Sequence, residues 1–147
     1  MASNIPRKEA LRIVVLAGGD SAEREVSLES GACVTNALRQ RGHRVLQIDP
    51  ALLALHEIPH STDVIYPMLH GTGGEDGTLQ RDLDRLGIPW LGSSAEASAL
   101  TFDKVVTREI LAKAGLPIAP GFGLNPDATR EAIHTASLSI GYPQVVK

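Results

Sequence analysis

Two glycine-containing loops hold most of the side chains in this sequence that could do chemistry. The first, AGGDSAEREVSLESG from Ala17 to Gly31, sets Asp20, Ser21, Glu23, Glu25 and Ser27 just after the apolar run Ile13-Val14-Val15-Leu16. So many acids and hydroxyls suit an ammonium better than a phosphate, and the loop reads as a site for a cationic or amine-bearing ligand. The second loop, LHGTGGEDG from Leu69 to Gly77, follows Val64 to Met68 and carries His70 and Glu75. Its glycines would bring backbone N–H groups near a ligand, and a helix start after Gly77 favours a carboxylate or phosphate. Glu75 within reach of His70 would fix the imidazole tautomer. Plainer roles compete with these. Glu23, Glu25 and Asp76 also suit helix N-termini as acids, the preferred account for the last two, and His70 suits a structural or solvated imidazole.

Both loops can face one crevice if their strands end at the same edge of a sheet. The order of elements meets that condition: short apolar runs alternate with helix-period segments, which predicts βα units on a parallel sheet. Strands are expected at Arg12 to Ala17, Arg44 to Ile48 and Asp63 to Met68. Helices are expected at Glu25 to Arg41 and Gly77 to Leu86, with a capping box Ser93-Ser94-Ala95-Glu96 opening a third. Asp103 to Ala114 forms a fourth, and Asn125-Pro126 starts a fifth that runs to Ile140. Gly87-Ile88-Pro89, Gly115-Leu116-Pro117 and Gly141-Tyr142-Pro143 repeat one helix stop. Ligands of such sheets bind at the carboxyl ends of the strands, where both loops lie. A boundary falls near Ser98 to Lys104. Beyond it an extended pair (Ile118-Ala119 and Phe122 to Leu124) and the apolar run Gln144 to Lys147 read as strand material, the last as a strand cut short by truncation.

With 147 residues the chain has room for one domain and part of a second, and its net charge of −3 with scattered basic residues argues against nucleic acid. Only five aromatic residues are present, so the core must be aliphatic. Cys33, alone of its kind, excludes an internal disulfide and reads as a small buried hydrophobe on a helix. No apolar run approaches a membrane span and no signal-peptide pattern opens the chain, so a soluble, cytoplasmic protein with a frayed or helical leader (Met1 to Leu11) is expected. The five histidines are dispersed, which leaves no metal-ligand spacing. Gly18-Gly19 lacks the third glycine of a dinucleotide fingerprint. Lys104 and Lys147, judged by composition, are a solvated helix residue and a terminal charge.

Taken together the segments resemble the D-alanine–D-alanine ligase family of ATP-grasp enzymes. The resemblance rests on LAGGDSAEREVSLESG (16–31), YPMLHGTGGEDGTLQ (66–80), IPWLGSSAEASALTFDK (88–104), AGLPIAP (114–120) and GYPQVVK (141–147), in the family's order. It implies an α/β fold: a Rossmann-like parallel sheet with flanking helices over residues 1–102 (the pre-ATP-grasp domain), then the truncated start of an ATP-grasp domain over 103–147. It implies a reaction in which one D-alanine carboxylate takes the γ-phosphoryl group of ATP and the amine of a second displaces phosphate, giving D-alanyl-D-alanine for peptidoglycan. Magnesium or manganese would offset the phosphate charge.

By the same resemblance Glu23 holds the ammonium of the first D-alanine, His70 sits beside it as a second catalytic candidate with Glu75 behind, and Val26 and Ser27 line the subsite. Lys104 and Lys147 match two lysines that contact nucleotide phosphates. Asp20 departs from the residues usual at its position. The serine loop, catalytic arginine and metal ligands of the family lie beyond Lys147, so no metal ligand is expected in this chain and the chain alone is expected to be inactive. A homodimer through the first domain is implied. Two alternatives stay open: a non-catalytic binding or dimerisation module, and a related ligase using D-lactate or D-serine.

Overall fold

The computed structural model describes residues 10–146, which fall into two compact units that divide between Phe102 and Asp103. The first is built around β1 (Arg12–Leu16), α1 (Arg24–Gln40), β2 (Arg44–Ile48), β3 (Val64–Pro67), α2 (Thr78–Leu86) and α3 (Ala95–Phe102), with a single 3-10 turn at Leu55–Glu57. Its three strands are parallel in the order β2-β1-β3, with Val14 opposite Leu46 on one side and Ile65 on the other. An isolated parallel bridge from Ile65 to Trp90 extends the sheet beyond β3. The expected parallel α/β sheet with flanking helices is therefore present.

β1 is the central strand, and its residues from Ile13 onward are buried, as a strand covered on both faces must be. Side chains alternate between faces along a strand. Val14 and Leu16 join Ile48, Ile58, Ile65, Leu79 and Leu83 in an aliphatic core. Ala17 faces α1, where a methyl built on Gly31 would stand 2.3 Å from the Ala17 methyl. That close approach decides which face of α1 is buried. Its buried residues are Ser27, Gly31 and Thr35, the small ones, and Cys33 is exposed. The sequence expectation of a buried Cys33 is thus corrected: a helix packed this tightly on a strand selects small residues before apolar ones.

At the amino edge of the sheet Arg12 donates from Nε and Nη2 to the two carboxylate oxygens of Asp63 (3.1 and 2.6 Å). α2 ends on Gly87 in the left-handed conformation (φ 66°), which a glycine adopts without the Cβ penalty. The cap of α3 is Ser94, whose Oγ accepts from Ala97 N at 3.2 Å, so the cap lies one residue after the Ser93 of the expected box.

The second unit holds α4 (Lys104–Lys113) and α5 (Arg130–Ile140). Asp103 caps α4 by accepting from Val105 N and Val106 N. α5 starts later than expected because Thr129 takes the capping role, accepting from Ala132 N, while Asn125-Pro126 turns back on itself through Ala128 N donating to Asn125 O. Neither the 118–124 pair nor residues 144–146 form strands. A strand exists only by pairing; the Gly121 carbonyl instead accepts from Arg108, and Val145 and Val146 are solvent-exposed.

Candidate active site

β1 and β3 are neighbours, so the loops that follow them meet at the carboxyl edge of the sheet. Ser27 binds them from beneath. Its hydroxyl is fully buried, accepts from Gly18 N at 2.8 Å and donates to Met68 O at 2.6 Å, joining the ends of the two strands. Ser27 was expected as a substrate-binding residue; the structure places it as the bolt under the site, with its hydroxyl already engaged. Higher up, Ser21 Oγ donates to His70 O at 2.7 Å and accepts from Glu23 N at 3.1 Å.

Glu23 is the N-cap residue of α1, yet its side chain makes no capping bond. Its carboxylate instead lies against Gly71. A methyl built on Gly71 would stand 2.6 Å from Glu23 Oε2, and Gly71 has φ +72°, so glycine is required there on two counts. His70 reaches two neighbours: Nε2 lies 3.4 Å from Ser30 Oγ and Nδ1 3.7 Å from Glu75 Oε1. The second distance is that of an ion pair and too long for the expected tautomer-fixing hydrogen bond. Glu75 Oε2 accepts from Gly71 N at 3.1 Å instead. Val26 stands half-exposed on the first turn of α1. The structure thus brings Glu23 to the His70–Gly71 loop. A cavity of about 340 Å³ opens beside it, lined by Gly19, Ser21, Ala51, Leu69, His70 and Thr72. Of the residues that the resemblance gives to the substrate, His70 lines that cavity, and Glu23, Val26, Ser27 and Glu75 do not.

Several of the donors expected from the glycines are already engaged within the protein. Gly18 N and Gly19 N donate to Ser27 Oγ and Asp49 Oδ1, Gly73 N to Asp76 Oδ2, and Gly74 N to Gly71 O. Asp76 Oδ1 also accepts from Thr78 N, so the protein's own carboxylate occupies the start of α2 that was expected to attract a ligand anion. The Gly73 hydrogen bond, ahead of the others, holds the Asp76 carboxyl below its ordinary range. Glu23, Glu75 and the His70 imidazole supply acceptors at this edge. Such a set can hold an ammonium and orient it.

Three site residues were not singled out from the sequence. Asp49, at the end of β2, accepts from Gly19 N and Ala51 N and from Arg24 Nη2 at 2.5 Å. Arg24 also donates to Gly19 O at 2.7 Å. Ser30 is the third. The rule that ligand loops follow the carboxyl ends of strands would have found Asp49, the first residue after β2.

Lys104 is exposed at the first position of α4 in the second unit, and Lys147 lies outside the described residues, as does most of the leader. Among the described residues no group of three or more His, Cys, Asp or Glu is placed to hold a metal ion. Among the same residues no helix is long and apolar enough to cross a membrane.

The fold is that of a Rossmann-like α/β domain, with Glu23 and His70 at the carboxyl edge of its parallel sheet. A family model described as the D-ala D-ala ligase N-terminus matches residues 50–93. A D-alanine–D-alanine ligase of Alkalilimnicola ehrlichii is 43% identical over 136 residues, covering 92% of this chain and 42% of that protein. The Coxiella burnetii D-alanine–D-alanine ligase structure superposes with TM-score 0.73 at 27% identity, over 90% of this chain and 49% of the other. The Bacillus anthracis enzyme complexed with ATP gives TM-score 0.65 at 32% identity, over 80% and 43%. The chain belongs with the D-alanine–D-alanine ligases and corresponds to their N-terminal region; it spans less than half the length of these relatives.

Proposed function

We propose that this chain provides the first-substrate side of an ATP-dependent ligase that joins two D-alanines for peptidoglycan, and that the 147 residues alone do not turn over. The observation that carries this reading is the Glu23 carboxylate, free of any capping bond and set against Gly71 beside the His70 loop. Glu23 binds the ammonium of the first D-alanine and so turns its carboxylate toward the reacting phosphate. His70, with Ser30 and Glu75 on its two nitrogens, packs beside that amino acid and limits its rotation. Ser27 keeps the two loops at fixed separation. ATP with magnesium or manganese would supply the phosphoryl group that activates the carboxylate, and Lys104 and Lys147 are the residues of this chain assigned to its phosphates. In this reading residues 1–102 are the pre-ATP-grasp domain, 103–147 open an ATP-grasp domain, and the protein is a cytoplasmic homodimer joined through the first unit.

Two measurements test it. Titration of the chain with D-alanine, followed by amide NMR, is expected to shift His70 and Gly71, and Glu23→Gln is expected to abolish those shifts. Phosphate release from ATP by the purified chain with magnesium and D-alanine is expected to be nil. Turnover by the chain alone, or equal shifts in Glu23→Gln, would count against the proposal.

A further inference from the structure

Residues 19 to 24 form a closed ring. Arg24 reaches back to donate to the Gly19 carbonyl at 2.7 Å, while Arg24 N donates to Ser21 O at 3.1 Å within the ring. Asp49 holds the same residue through the preceding peptide group, accepting from Gly19 N at 2.9 Å, and pairs with the Arg24 guanidinium at 2.5 Å. The Gly19 residue is thus gripped at both its N–H and its C=O by two side chains that also grip each other. Asp49 is anchored in turn by Ala51 N at 3.0 Å, and its side chain is only 12% exposed. Gly18 admits it, because any Cβ there would stand 2.5 Å from the Asp49 carboxylate.

Glu23 sits inside this ring, one residue before Arg24. Its side chain makes no capping bond, so the location of its carboxylate depends on how the ring is held. Ser21, also inside the ring, carries the link to His70 O. We propose that Arg24 and Asp49 are positioning residues for Glu23: the pair sets the ring, and the ring sets the Glu23 carboxylate against Gly71. Neither residue touches the amine. This rests on the reading of Glu23 as the ammonium-binding acid. A pair serving stability alone would bind β2 to α1 just as tightly and leave Glu23 indifferent to its loss.

The experiment compares Asp49→Asn and Arg24→Gln with Asp63→Asn, which makes the same chemical change to the arginine-paired acid at the opposite sheet edge. Arg24→Lys, which keeps the charge on one fewer donor, is the conservative variant. The first readout is the NOE between the Glu23 γ-protons and the Gly71 α-protons in the 147-residue chain. The second is the D-alanine concentration that half-saturates the His70 and Gly71 amide shifts. Expected is loss of the NOE and a rise in that concentration of about tenfold or more, equal to about 1.4 kcal/mol, for Asp49→Asn and Arg24→Gln. Arg24→Lys should recover part of both, and Asp63→Asn should keep both. An intact NOE in well-folded Asp49→Asn and Arg24→Gln overturns the inference while leaving Glu23 as the amine site. Unchanged D-alanine shifts in Glu23→Gln overturn the amine reading and the inference with it. Should Asp49→Asn fail to fold, the same criteria apply to Arg24→Gln.

Discussion

Asp49 and Asp63 are each held by an arginine, at opposite edges of one sheet, and their surroundings give them different roles. Burial works against the Asp49 charge, but the Arg24 hydrogen bond and those from Gly19 and Ala51 outweigh it and leave its carboxyl below the ordinary range. Asp63 stands at the solvent end of β3, where the hydrogen bonds from the Arg12 side chain and backbone lower its pKa to about 2. A depressed carboxylate stabilises the fold above its unfolded value, near pH 3.9, and that contribution is lost as the pH falls through the folded value. For Asp63 the window therefore runs from about pH 4 down to about pH 2. Carboxyl ¹³C titration should find Asp63 half-protonated near pH 2, and Asp63→Asn should remove its share of the acid destabilisation. A midpoint in the ordinary carboxylate range would show that Arg12 does not hold it in solution.

At the scale of elements, most of the first unit was legible because its strands and helices follow period and punctuation. β2 spans Arg44–Ile48 as expected, and α2 stops at the glycine that its sequence supplies. The buried face of α1 was not legible. Apolar periodicity pointed to the side holding Cys33, whereas the helix buries Ser27, Gly31 and Thr35 because β1 lies so close. Glu23 and His70 could be placed at one edge of a parallel sheet from the order of elements, but the hydrogen bonds made by the loop glycines could not. They depend on where Asp49, Asp76 and Glu75 fall once the chain has folded. The close approach has a measurable consequence. Gly31→Ala must push α1 off β1, at an expected loss of about 1–3 kcal/mol as for other overpacked cores. Ala17→Gly removes the opposing methyl, so the double variant should regain part of that loss, and urea unfolding of the four-member cycle reads the coupling. Additive losses would mean that the two methyl positions do not meet.

At the scale of the whole chain, the two units differ in what holds them together. The first contains an aliphatic core of buried residues from β1, β2, β3 and α2. In the second, none of the described residues is buried, and Val105, Phe122, Ile133 and Leu138 are exposed. Its helices are 10 and 11 residues long, below the length at which an isolated helix holds in water without tertiary burial. Capping by Asp103 and Thr129 adds about 1 kcal/mol each, which offsets only part of the ordering cost. Amide exchange should therefore separate the units sharply. Strand amides of Val14 to Leu16 should exchange only through global unfolding, and those of α4 and α5 through low-energy local opening, orders of magnitude faster. Hydrogen-exchange mass spectrometry on the purified chain tests this directly. Equal protection across residues 103–146 and the β1 core would mean that the second unit has found apolar burial of its own, through self-association or through packing against other apolar surface. Dependence of that protection on protein concentration would identify self-association, because only association shifts with the amount of chain present.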